Sequence, residues 1–106
     1  MQATSISIGR FTFEGPYQDI GELQNKAGVY AIHCYRVGNS YPLVDVGESS
    51  DVKWRVESHD RKSCWSRNCA GTLMVSVFYT PGLSDATRRA IEQEIRDQYN
   101  PPCGER

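Results

Sequence analysis

The stretch GVYAIHCYRVGNSYPLVDVG, residues 28–47, decides the fold, because it reads as one strand turning back on another. Residues 28–36 are rich in β-branched and aromatic types, which suit a pleated, half-buried surface. Val37, Gly38, Asn39 and Ser40 make the turn, and residues 41–47 return. Pro42 is tolerable near the start of that returning strand and would not be in its middle. Gly47 breaks the run. Ser49, Ser50 and Asp51 then offer N-cap chemistry for a short helix from about Asp51 to His59.

Working outward, TLMVSVFYT (72–80) is nearly continuous in apolar content and reads as a central strand, ended by Pro81 and Gly82. Ser84 and Asp85 cap a second helix through Gln98 or Tyr99, closed by Asn100, Pro101 and Pro102. Its core stripe reads as Ala90, Ile91, Ile95 and Tyr99. DRKSCWSRNCAG (60–71) has no clean period and reads as a long, basic, Trp-bearing loop. ISIGRFTF (6–13) alternates around Gly9 and Arg10 as an edge strand or loose hairpin, and Gly15, Pro16 and Gly21 punctuate a connector. The expectation is a small α+β domain, with an antiparallel sheet of about three core strands flanked by helices in the order β-β-α-β-α. Residues 1–27 are an N-terminal extension and connector, 28–102 the core, and 1–106 one domain.

At 106 residues the chain has room for a single modest core. Composition is globular, at 39% hydrophobic and 24% charged, and the net charge of −1 gives no global attraction to nucleic acid or an anionic membrane. Any nucleic-acid site must therefore be a local patch. Leu73–Tyr79, the longest apolar run, is too short to span a bilayer. MQATSISIGR (1–10) lacks a basic n-region and an apolar h-region, so a cytoplasmic protein is expected. On the same grounds Cys34, Cys64, Cys69 and Cys103 are expected as free thiols. His59, Cys64 and Cys69 are spaced by five, which is not the CxxC knuckle of a structural zinc site.

The order of these elements carries a resemblance to the GIY-YIG nuclease superfamily. Gly28-Val29-Tyr30 stands where that family has GIY, and Asp45-Val46-Gly47 where it has YIG. Arg55 falls eight residues after Gly47 and His59 four later, as the family's helix would place them; Glu92, nine residues before Pro101, matches its metal-binding glutamate. Each three-letter motif is weak, but joint order and spacing are far more specific. Two positions depart from the pattern: Asp45 replaces the YIG tyrosine, and Gly104 replaces an asparagine usual three residues after the proline.

The resemblance implies a small GIY-YIG-like domain that hydrolyses DNA phosphodiester bonds. In it Glu92 would hold one Mg²⁺ or Mn²⁺, a hard cation that prefers carboxylate oxygen and keeps several waters. Arg55 would bind the pentavalent phosphorane through its donor fork, Tyr30 would orient or deprotonate the attacking water, and His59 would contact the phosphate or position Tyr30. Lys53, Arg61, Lys62 and Arg67 with Trp65 offer phosphate neutralisation and a stacking face. The acids among them leave only a small local excess of positive charge. Structured or damaged DNA, or a protein partner that delivers the substrate, fits this better than sequence-specific binding. The alternative is a catalytically degenerate module that binds nucleic acid or protein without cutting.

Each residue also has a bland reading. Tyr30 can be a strand tyrosine with its ring in the core, and Arg55 and His59, at i and i+4, a solvated helix face. Glu92 lies four residues from both Arg88 and Arg96, a ladder worth only ~0.2–0.5 kcal/mol per pair on an isolated helix. Asp45 shares a strand face with Leu43 and Gly47 while Val44 and Val46 share the other. A buried carboxylate there needs a partner. It can be held by a cation such as Arg55, or it can join Glu92 at a metal; the sequence leaves both open.

Overall fold

The computed structural model describes residues 4–38 and 40–104. Its elements are β1 (Ser5–Ile8), β2 (Phe11–Tyr17), β3 (Gly28–Tyr35), β4 (Leu43–Ser49), α1 (Val52–Glu57), α2 (Lys62–Arg67), β5 (Thr72–Tyr79) and α3 (Asp85–Tyr99). The strands form one antiparallel sheet in the order β1-β2-β5-β3-β4. The β3–β4 hairpin lies where expected, although Asn39 of its turn falls outside the described residues, as do residues 1–3 of the N-terminal stretch. β5 is central, as its continuous apolar content implies, and eight of its residues pair with β3.

Three expectations are corrected. The sheet has five strands rather than three, and the observed order is β-β-β-β-α-α-β-α. Residues 5–17 form a hairpin whose second strand pairs with β5, because Phe11 and Phe13 point into the core while Thr12 and Glu14 face out. What looked like an extension is the far half of the sheet. Second, the expected loop at 60–71 contains α2, a six-residue helix that buries only Trp65, too short for a period to show in the sequence. Third, the cysteines are not free: Cys34 is bonded to Cys69 and Cys64 to Cys103, and none is left over. The thiol expectation rested on compartment, and the fold brings the pairs together regardless. One bridge ties β3 to the segment before β5, and the other ties α2 to the tail after α3.

The two faces of the sheet carry separate cores. α3 covers Phe11, Phe13, Val29, Ala31 and Val46 with Ile91 and Ile95. On the other face α1 and α2 cover Tyr30, Ile32, Val44, Val75 and Val77 with Val52, Val56 and Trp65. Asp51 caps α1 by accepting from the Trp54 N–H, Ser84 caps α3 by accepting from Thr87, and Asn100 ends α3 in the left-handed region. Ala90 and Tyr99 of the expected core stripe are exposed, and the inward face of α3 instead adds Arg88 and Arg96, 4% and 2% exposed. No helix among the described residues is long and apolar enough to cross a membrane.

Candidate active site

The site is built on a bulge. Ile32 pairs with Asp45, but His33 pairs with Leu43, so Val44 is the extra residue in β4. The strict alternation expected for Leu43, Asp45 and Gly47 is thereby broken, and Val44 and Val46 pack into opposite cores. Asp45 follows the bulge, fully buried, on the face that α2 covers.

Of the two expected roles of Asp45, the ion pair is present, but with Arg61 and Arg96 in place of Arg55. Its carboxylate accepts from the Val46 N–H at 2.8 Å, Trp65 Nε1 at 2.7 Å, Arg61 Nε at 2.9 Å and Arg96 Nη2 at 2.9 Å. Arg61 Nη2 adds a longer contact at 3.5 Å. Arg55 is not among the donors. With both oxygens fully engaged, Asp45 has no lone pair for a metal, and it acts as an anchor that orients two arginines and a tryptophan.

Arg96 explains both departures from the family pattern. Its Nε donates to Glu92 at 2.9 Å, its Nη1 to the Cys103 carbonyl at 3.0 Å, and its Nη2 to Asp45 and to the Val46 carbonyl. A side chain at position 104 would collide with this guanidinium, so Gly104 is the residue that lets it lie there. Asp45 and Gly104 are thus two halves of one accommodation around a buried arginine. Arg88, by contrast, pairs with Glu48 and Asp85, so the expected ladder on Glu92 has only its Arg96 rung.

Tyr30 and His59 meet directly, with the phenol oxygen 2.7 Å from Nε2. Tyr30 pairs across the hairpin with Gly47, and its ring lies where a side chain at 47 would stand, which is why that position is glycine. Burial pushes the phenol up to about 12; Arg55 and Arg61 pull it back, while Asp45 and Glu92 push it further. His59 is lowered to about 4, first by burial and then by Arg55 and Arg61. Its Nδ1 accepts from the Arg61 backbone N–H at 3.0 Å. A neutral ring with that acceptor carries its proton on Nε2, so His59 donates to Tyr30 and leaves the phenol hydrogen free to point elsewhere. Asp60 Oδ1, 3.3 Å from Nδ1, gains a hydrogen bond there only if the ring is protonated.

Glu92 approaches this group around the β4 edge, although α3 packs on the opposite face. It lines one polar cleft with Asp60, Arg61, Arg96 and Gly104. Arg55 pairs loosely with Asp60, at 3.3 Å, at the same end. Tyr30, His59 and Glu92 are thus linked through Arg61, Asp45 and Arg96, whereas Arg55 stands outside that set, and Tyr30 and His59 lie buried beneath the cleft rather than in its lining. No trio of His, Cys, Asp or Glu among the described residues is grouped to hold a metal. Glu92 gives Oε2 to Arg96 Nε at 2.9 Å, and Oε1 is the oxygen it would offer a cation.

The expected nucleic-acid contacts divide. Lys62 and Arg67 are exposed and Lys53 half-buried, but Trp65 is 4% exposed and packs against the His59 ring at 4.6 Å. It cannot offer a stacking face to a base, because Asp45 requires its indole N–H inside. An exposed aromatic beside these cations is Trp54, 61% accessible on α1. Comparison with protein-family models, curated proteins and solved structures found no match to the chain.

Proposed function

We propose that this chain is a metal-dependent endonuclease of GIY-YIG type that hydrolyses DNA phosphodiester bonds in the cleft at the β4 edge. The observation that supports the reading is the linked set from Tyr30 through His59, Arg61, Asp45 and Arg96 to Glu92, which lines the cleft at its open end. Mg²⁺ or Mn²⁺ held by Glu92 would supply a Lewis acid for the scissile phosphate and the leaving 3′ oxygen. With its phenol at about 12 and buried, Tyr30 is ionised to only about one part in 10⁵ at pH 7, so it is not the base and its part is to hold His59 in place. His59 stays neutral and fixes the direction of that phenol. Arg55, bound among the described residues to the exposed Asp60 alone, stands outside the cleft lining and would turn inward to meet a phosphate oxygen.

The buried phenol is also what a binding-only module would keep, and the two readings part on turnover. Supercoiled and branched DNA incubated with the protein and Mg²⁺ or Mn²⁺ should be nicked, and EDTA should stop it. Binding without any cut under either metal favours the degenerate module. The exposed cations and Trp54 suit structured or damaged DNA, or DNA delivered by a protein partner, since the local charge excess is small. The cytoplasmic location expected from the sequence fits poorly with two disulfides, which persist in oxidising compartments. The oxidised protein is therefore read as the working form, and alkylation of thiols in freshly lysed cells should leave all four cysteines unlabelled.

A further inference from the structure

We propose that Arg61 is a catalytic residue that contacts the scissile phosphate across the cleft from Glu92, and that Asp45 positions it. This rests on the nuclease reading above and adds to it a residue that reading did not require. Three cations stand near the cleft, and their donors are committed differently. Arg96 is 2% exposed and has donors on Glu92, Cys103, Asp45 and Val46, so it is a strut with nothing to offer a ligand. Among the described residues Arg55 is held by Asp60 alone, and it is outside the cleft lining. Arg61 lines the cleft with its side chain 29% exposed. Its Nε is fixed on Asp45 at 2.9 Å, and Nη1 has no acceptor among the described residues.

That arrangement is a preorganised phosphate donor. A guanidinium pinned at Nε keeps its outer edge pointed one way, so little reorganisation accompanies charge developing on a phosphate oxygen. The pin is itself rigid, because Asp45 is fully buried and locked by Trp65, Arg96 and the Val46 N–H. The Arg61 backbone N–H also sets the His59 tautomer, so one residue aligns the phenol and faces the phosphate. The carboxylate at 45 thus replaces a phenol by recruiting an arginine.

The test is single-turnover cleavage of branched DNA with Mg²⁺ by wild type, Arg61→Ala, Arg61→Lys and Glu92→Gln. Arg61→Ala should lower kcat by about 100-fold or more while KM changes by only a few-fold. Arg61→Lys should recover little, because a lysine lacks the fork, and added guanidinium ion should restore part of the Arg61→Ala rate. If Arg61→Ala fails to fold, the Arg61→Lys split decides: a kcat loss supports the assignment and wild-type kcat overturns it. Arg61→Ala with wild-type kcat and a raised KM would make Arg61 an ordinary backbone-binding cation, and the nuclease reading would stand if Glu92→Gln is inert. A wild type that never cuts overturns the reading and the assignment together.

Discussion

The two sides of the sheet are held by different physics. Under α3 the core is the drier one: Phe11, Phe13, Val29, Ala31, Val46, Ile91 and Ile95 meet, and the His33–Ser76 pair buried on the same face satisfies itself at 2.7 Å. At the β4 edge and beneath α2, a carboxylate, Arg96, an indole N–H and a histidine–tyrosine pair are buried together, with the part-exposed Arg61 on the same carboxylate and two disulfides as braces. The first side tolerates any residue of suitable volume. The second is satisfied only as a whole, since removing one member leaves another buried without a partner.

The largest break in that comparison should come from Asp45→Ala. It leaves the Arg96 guanidinium buried without its carboxylate and should cost roughly 3–5 kcal/mol in urea unfolding. Ile95→Ala on the drier side should cost about 2–5 kcal/mol, but without altering the cleft. If Asp45→Ala unfolds like wild type, the anchor role is wrong. The same geometry argues against restoring a tyrosine at 45, which has no room among four close donors. Next, the Cys64→Ser, Cys103→Ser pair opens a link across 39 residues and should lower stability by about 2–4 kcal/mol. Amide exchange should rise in α2 and the tail and stay unchanged under α3; a uniform rise would dissolve the contrast.

A smaller, pH-dependent effect should separate the sides further. His59 titrates at about 4 folded against 6.5 unfolded, so between those values the unfolded chain binds the extra proton. Its contribution is present above pH 6.5 and is lost as pH falls through 4, by a few kcal/mol at most, roughly 1.4 per unit. His33, also lowered by burial, adds in the same direction. His59→Gln should flatten the acid limb of a stability–pH curve, and an unchanged limb would mean that His59 is not held neutral. The smallest effect should be that of Arg10→Ala. It breaks the exposed pair with Glu94, and thermal melting should not register it.

The hairpin, the central strand and the capped ends of α1 and α3 were legible because they depend on neighbours in sequence. The β1–β2 hairpin was half legible: Phe11 and Phe13 alternate correctly, but its place in the sheet depends on pairing with β5, sixty residues on. Spacing singled out Tyr30, Arg55, His59 and Glu92, and the Tyr30–His59 contact follows it. The rest of the wiring was not legible. Arg96 meets Asp45 across 51 residues, and an arginine on a helix reads as solvated until a buried carboxylate is known to face it. The bulge at Val44 likewise flips strand parity without any Gly or Pro to announce it. Trp65 was assigned to DNA for its type, when its indole N–H was needed inside.

The measurement that tests the whole cleft most directly is the rate at which Glu92→Gln cuts branched DNA with Mg²⁺. Glutamine keeps the size of the side chain and an oxygen for Arg96 but removes the charge a divalent cation requires. The expected result is a folded protein, melting close to wild type, that binds DNA and does not cut it. Cleavage by Glu92→Gln at the wild-type rate would return Glu92 to its bland role as a helix partner of Arg96 and empty the cleft of its proposed chemistry.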